Sequence, residues 1–591
     1  MKFTHPQLDP NLNRTRKPAS ANPSKVASQG EEPDFPRANP ESPYVNTYLG
    51  KFSIPVEGED GPHPGLLYIP KTEKSAWNMA LVFVPGGMEP ETFFQKGNWE
   101  HILEKYCMTG FFLGAPHGWN REDLGTQLET AVKALGEMQS NRYFQSNYPA
   151  IYCMGFEDGA WLASLFAVTH ASVLAAWAAM GDTNLPQELL DQLGNGPTDC
   201  DPTMKRRELP LPAFLFDSRE SNVVKYFREA NHTVDEGLSN AYGRVYLQHS
   251  LPGDSYRNDT LCCQVWHGSE ETVQSIGLPA AAEAMTAFVE GYKRWGGEGN
   301  GYIRRTVYPE KAGMKRTDAL IEGLKRYWLT FEPSAYKKGK KESYPLVIAI
   351  HGFTCSGEFF ANNTNWHWVG EERDAFIVYP SAYPFTRSRK GPMGCHIATP
   401  EWNSGGFPGT PDPEGPDELI YFRELIRQTC EAYPIDTSRI YVTGHSNGAM
   451  MTQLLMRRMP EYFAGFAPVG YMENLSGSME PEPDDGLLRN VWYVIGEYDG
   501  KGCVLEEGNA NVSTLRLLCR HNGTEYEKRR YYETGIYMHS VFRNQEGVPL
   551  VRFTGVKNWP HTYSPELAFM IYDEFFSHFR RHKYGSLEYL A

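Results

Sequence analysis

Short apolar runs alternate with stretches of helical spacing along most of this chain. ALVFVPGG (80–87) is a buried strand entering a glycine turn, WEHILEKYC (99–107) has helical spacing, and GFFLGAP (110–116) is strand again. An amphipathic helix follows at 123–139, then strands at 150–155, 211–218 and 261–268, and a helix from 280. GGEGNG (296–301) interrupts the pattern, which then restarts. YPLVIAIHGF (344–353), AFIVYP (375–380), RIYVTG (439–444) and VWYVIG (491–496) read as strands, with helices at 417–433, 448–459 and 567–582. Strands alternating with helices imply parallel sheets covered on both faces. The expected class is therefore α/β, in two tandem units: 41–298 and 299–591, after a disordered arm at 1–40 that is rich in Pro, Asn, Ser and charge. A length of 591 residues also exceeds what one hydrophobic core supports.

The halves align without a gap at an offset of 289. IYCMGFEDGAWLASLFAVTHASVLAAWAAMG (151–181) lies over IYVTGHSNGAMMTQLLMRRMPEYFAGFAPVG (440–470). This removes an apparent membrane span at 161–180, because its counterpart holds Arg457, Arg458 and Glu461; the segment is read as helix, turn and buried strand. A net charge of −15 argues against nucleic acid or an anionic membrane as partner. The ten cysteines show no ligand-like spacing, so no metal is expected. The N-terminus lacks an apolar leader segment, which makes a cytoplasmic location the expectation. Nothing in the sequence fixes an oligomeric state.

YVTGHSNGAMM is strand, G-x-S-x-G, then helix, the setting in which Ser446 would sit on a strained turn as a nucleophile. A serine hydroxyl needs a base, and the base an orienting acid, following in the order acid then His. His561, in the loop before the last helix, supplies the base. Asp499, just past a buried strand, is preferred to Glu497 as the acid because it lies further into the loop. The oxyanion of acyl transfer needs aimed N–H donors. These are the amide of Asn447 and one from the turn AIHGFTCSG, where Phe353 is preferred to Thr354.

PLVIAIHGF, WVGEERDAFIVYPSA, YPIDTSRIYVTGHSNGAMM, YFAGFAPVG and NWPHTY together resemble the esterase family that groups polyhydroxybutyrate depolymerases with feruloyl and acetyl xylan esterases, over residues 302–582. The resemblance implies an α/β-hydrolase fold and hydrolysis of a small-molecule or oligomeric carboxylic ester, without cofactor, by Ser446, Asp499 and His561. It also implies a loop tryptophan, matched by Trp402. Trp402, Tyr383 and Phe385 are candidates for holding an aromatic acyl group, or equally for packing. The long loops 385–416 and 473–490 would shape the acyl and alcohol pockets. A serine peptidase of the same fold and an inert binding protein are the competing readings.

The first half keeps the turn glycines, VPGG where the second half has IHGF, an aspartate after a strand (Asp217) and a late histidine (His267), but places Glu157 where Ser446 stands. It reads as a degenerate hydrolase-like domain kept for packing, for shaping the entrance or for binding substrate.

Overall fold

The computed structural model describes residues 24–25, 50–70, 77–139, 146–198, 204–217, 221–249, 262–294, 303–385, 399–405, 411, 413, 415–474, 485–499, 502–503, 505–583 and 585–590. The expected disordered arm lies outside these residues except for Ser24–Lys25, which pairs antiparallel with Phe52 and Ser53. Two compact units are present, one spanning Ser42–Thr306 and the other made of Val307–Arg389 and Ala398–Ala591. The boundary falls at 306/307 rather than 298/299, because Ile303–Arg305 pairs antiparallel with Tyr292–Arg294 of the first unit.

The first unit carries a sheet with six parallel strands at its centre, in the order Met108–Leu113, Trp77–Phe83, Ser146–Phe156, Ala176–Met180, Ala213–Phe216 and Val265–Gly268. Three strands, each antiparallel to its neighbour, extend it at one edge (Gly65–Ile69, Gly50–Ser53, then Ser24–Lys25) and two at the other (Gly243–Gln248, then Thr233–Ser239). The second unit repeats this plan: Phe376–Pro380, Tyr344–Ile350, Ile435–His445, Gly465–Val469, Val491–Gly496 and Val551–Val556 are parallel. Its edges are Leu324–Phe331 with Met314–Ile321, and Tyr537–Phe542 with Arg530–Thr534.

Both faces of the central strands are buried, which is why they read as continuous apolar runs. In the first unit Met79, Leu81 and Phe83 face a core shared with helices Leu124–Gln139 and Gly159–Thr169. Ala80 and Val82 face the opposite core, under helices Trp99–Tyr106 and Leu278–Glu290. The segment resembling a membrane span is helix Gly159–Thr169, wholly buried, followed by strand Ala176–Met180. No helix among the described residues is long and apolar enough to cross a membrane.

The edge pairs are where sequence reading falls short. MKRTDALI and TVDEGLS carry charges at positions exposed along one face or both. Such edge strands lack the apolar run that marks a central one.

Candidate active site

Ser446 occupies the sharp bend between strand Ile435–His445 and helix Asn447–Arg458, at φ 57° and ψ −115°. A side chain other than glycine with positive φ is strained and persists only when its surroundings hold it. Here the Ser446 N–H donates to the carbonyl of Val469 at 2.9 Å. Close packing of strand on helix supplies the rest. A methyl group placed on Gly444 would lie 2.2 Å from the Gly448 carbonyl, and one on Gly448 would lie 2.3 Å from that of Ile350.

His561 Nδ1 lies 2.6 Å from Asp499 Oδ1, with the carboxylate largely buried and the imidazole open. Glu497 is committed elsewhere: its Oε2 accepts the Asn558 N–H at 2.7 Å. The residues thus brought together are Asp499 and His561, not Glu497 and His561. Among the described residues no hydrogen bond joins Ser446 Oγ to His561 Nε2; contacts of this kind commonly tighten only with substrate bound. His445, from the elbow itself, lies against His561 with ring centroids 4.5 Å apart. Loss of water around His445, and then the neighbouring His561, hold its pKa well below the ordinary imidazole value, so it stays neutral.

The turn after Tyr344–Ile350 faces the elbow. The Thr354 N–H, in a residue with φ 67°, donates to the Pro400 carbonyl at 2.9 Å, so that amide is already used. No acceptor takes the Phe353 N–H among the described residues. Two amides beside Ser446 are therefore available to a developing oxyanion, those of Phe353 and Asn447, the latter at the first position of its helix.

Trp402 is fully buried, stacked on Tyr421 and tilted against Phe422, and so has no face open to an acyl group; it braces the site from behind. Its indole N–H donates to the His351 carbonyl at 2.9 Å. Its backbone N–H donates to Asn447 Oδ1 at 2.7 Å, and Asn447 Nδ2 donates back to its carbonyl at 3.2 Å. With the Thr354–Pro400 bond, the segment 400–402 ties together the two loops that carry the free amides. Sequence reading missed this strap, since a backbone clamp by a side chain leaves no spacing signal. Tyr383 is also nearly buried, 6% exposed.

Below the strap lies a buried ion pair, Arg326 Nη2 to Glu418 Oε2 at 2.7 Å, with the guanidinium 3.7 Å from the centre of the Tyr421 ring. The tautomer of His351 follows from its partners: the Ala382 N–H can only donate to Nε2 (2.9 Å), and the Gly352 carbonyl can only accept from Nδ1 (2.7 Å). Burial lowers the His351 pKa to about 4.

The first unit rebuilds the same bend around Glu157, with φ 53° and its N–H on the Met180 carbonyl at 2.7 Å. Among the described residues no histidine–carboxylate pair of a triad is formed there. His267 Nε2 meets the backbone carbonyl of Asp217, while the Asp217 carboxylate accepts the Thr183 hydroxyl at 2.9 Å. Strand register also corrects the pairing of VPGG with IHGF by one residue. Phe83 pairs with Gly155 as Ile350 pairs with Gly444, which sets Gly86 opposite Phe353 and Gly87 opposite Thr354. Gly87 shares the positive φ of Thr354, 74° against 67°, and Trp119 Nε1 bonds the Val84 carbonyl at 2.8 Å as Trp402 bonds that of His351.

No family model matches the chain. Among curated proteins it is similar to poly(3-hydroxyalkanoate) depolymerase C of Paucimonas lemoignei, 24% identical over 250 residues, covering 38% of this chain and 56% of that protein. It is also similar to acetylxylan esterase A of Aspergillus ficuum, 29% identical over 123 residues, covering 20% of this chain and 35% of the relative. The chain thus spans about half the length of the first relative and about a third of the second. The resemblance expected from the motifs, to depolymerases and acetyl xylan esterases, is present among these relatives. Among solved structures, an acetyl xylan esterase from Aspergillus awamori aligns with a TM-score of 0.31 and 13% identity, over 44% of this chain and 99% of that one.

Proposed function

We propose that the chain is a serine-dependent carboxylic-ester hydrolase whose chemistry resides in the second unit. The observation that carries this reading is the Asp499–His561 hydrogen bond beside a strained serine flanked by two available amides. In this reading Ser446 Oγ attacks the ester carbonyl while His561 Nε2 takes its proton. Asp499 holds the Nδ1–H and stabilises the imidazolium. Negative charge on the carbonyl oxygen is met by the Phe353 and Asn447 amides, each donor contributing roughly 3 kcal/mol to the barrier reduction. The C–O bond then breaks, the alcohol leaves with the proton from His561, and water repeats the sequence on the acyl-enzyme to release the acid. The names of the relatives favour acetyl or hydroxyalkanoyl esters as substrates. The first unit, with Glu157 at its bend, contributes no nucleophile.

A fluorophosphonate probe should label the protein covalently, and Ser446→Ala should abolish both labelling and hydrolysis of p-nitrophenyl acetate. Labelling that persists in Ser446→Ala, at another serine, overturns the assignment. A panel of acetylated xylan, methyl ferulate and hydroxybutyrate oligomers then ranks the acyl classes, and aminoacyl amides test for peptidase activity.

A further inference from the structure

The two units differ at two aligned positions, and those differences decide whether an oxyanion hole stands open. In the first unit the residue after the bend is Asp158. Its Oδ1 accepts the Gly86 N–H at 2.7 Å, and its Oδ2 accepts the Trp119 N–H at 3.3 Å. Gly86 occupies the position of Phe353 by strand register. The amide equivalent to the oxyanion donor is thus filled by the unit's own carboxylate.

The second unit has Asn447 at the matching place. An amide side chain both donates and accepts, so it grips the backbone of Trp402 with two bonds. A carboxylate has no proton to donate to the Trp carbonyl. It can hold the Trp N–H with one oxygen and must take another donor with the second, and in the first unit that donor is the Gly86 amide, the counterpart of the Phe353 amide. Residue 86 reinforces this. A methyl group added at Gly86 would meet Asp158 Oδ2 and would lie 2.5 Å from the Gly118 Cα, so glycine there admits both the carboxylate and the close approach of the Gly118 backbone. The second unit carries a full side chain at that position, Phe353, whose ring is exposed.

We infer that Asn447 and Phe353 act as a pair of positioning residues that keep the oxyanion hole of the second unit open, and that Asp158 and Gly86 close the corresponding hole in the first. This rests on the ester-hydrolase reading for the second unit only. Closure removes one donor from the transition state, an effect on the order of 10²–10³ in kcat. It leaves the acyl and alcohol pockets in place, so KM changes little.

The test compares Asn447→Asp with Asn447→Ala, each in the Phe353 and the Phe353→Gly backgrounds, by hydrolysis of p-nitrophenyl acetate. With glycine at 353, the Asp variant should fall at least tenfold below the Ala variant in kcat, with KM within about threefold. With phenylalanine at 353 the gap should shrink. Equal losses for Asp and Ala in the glycine background overturn the inference while leaving the esterase reading intact. A wild-type protein that neither hydrolyses esters nor takes the fluorophosphonate label overturns the esterase reading instead. A second measurement does not depend on catalysis or on those variants folding. In Asp158→Asn the Gly86 amide should exchange its hydrogen at least tenfold faster, because the new side chain grips Trp119 and releases it. Unchanged exchange at Gly86 overturns the closure proposed for the first unit.

Discussion

Replacing Gly470 by alanine tests the proposed acid–base machinery from its least visible component. Gly470 has φ 75°, a conformation that costs an L-residue roughly 1–2 kcal/mol. The added methyl would also lie 2.9 Å from both Cδ2 and Nε2 of His445, and 3.1 Å from Cε1 of His561. Carbon contacts are favourable at about 3.5–4.0 Å, so one or both imidazoles must shift by roughly 0.5–1 Å. His445 takes the tighter contacts and lies against His561, whose side chain is 42% exposed, so the displacement is passed on to His561. The shift acts on the 2.6 Å bond to Asp499 and on the approach to Ser446. A misplacement near 1 Å costs about 10²-fold in rate. Gly470→Ala should therefore lose about 1–3 kcal/mol in urea unfolding, from strain and crowding together, and about 100-fold in kcat. Gly181 supplies the control, at φ 136° and with its added methyl 2.5 Å from the Glu157 carbonyl. Gly181→Ala should lose stability and retain kcat. A Gly470→Ala protein with kcat within threefold of wild type refutes the reasoning, because the loss would then not pass through His561.

The two acids after Val491–Gly496 should separate cleanly: Asp499→Asn should lower kcat by about 10³–10⁴-fold through misorientation of His561, while Glu497→Gln, which can still accept the Asn558 N–H, should stay within threefold. Equal losses would return the assignment to Glu497. Stability should fall as pH drops from 7 to 5. His351 titrates near 4 in the fold, and an unfolded histidine titrates near 6.5, so the unfolded chain binds the extra proton first, and the loss from this group is about 2 kcal/mol at pH 5. Urea midpoints measured for wild type and His351→Gln should converge towards pH 5; a constant gap between them contradicts the sign. Arg326→Met should destabilise the second unit by about 3–5 kcal/mol in urea unfolding, because it leaves Glu418 buried without its partner. A loss under about 1 kcal/mol would show that Glu418 simply takes up a proton.

The central strands were legible because burial on both faces writes an unbroken apolar run, as in Tyr344–Ile350. The elbow was legible because glycines four apart before and after one residue mark close strand–helix packing. Asp499 and His561 were legible by order along the chain, and their proximity is a matter of geometry. Three features left no such trace. The edge pairs are charged and half-exposed. The boundary at 306 depends on Ile303–Arg305 folding back onto Tyr292–Arg294 past a glycine break. Trp402, open on sequence grounds to an acyl-binding role, is a buried strut, and a ring's exposure is decided by the tertiary contacts around it.

The bend at Glu157 bears on what the elbow motif means. A strained residue proposed as a nucleophile invites the view that chemistry maintains the strain. Glu157 keeps it, at φ 53° against 57° for Ser446, with no base bonded to it among the described residues and its neighbouring amide occupied by Asp158. The geometric causes are the same in both units. A methyl group on Gly155 would lie 2.3 Å from the Gly159 carbonyl, as one on Gly444 would from that of Gly448 at 2.2 Å. The chain between strand and helix therefore has no room to relax, whatever residue stands at the bend. The strain belongs to the packing of strand on helix, and G-x-x-x-G reports the fold. In the proposed reading, chemistry is set by two adjacent residues inside it, Ser-Asn in one unit and Glu-Asp in the other. One supplies or withholds the nucleophile, and the other leaves the neighbouring amide open or fills it.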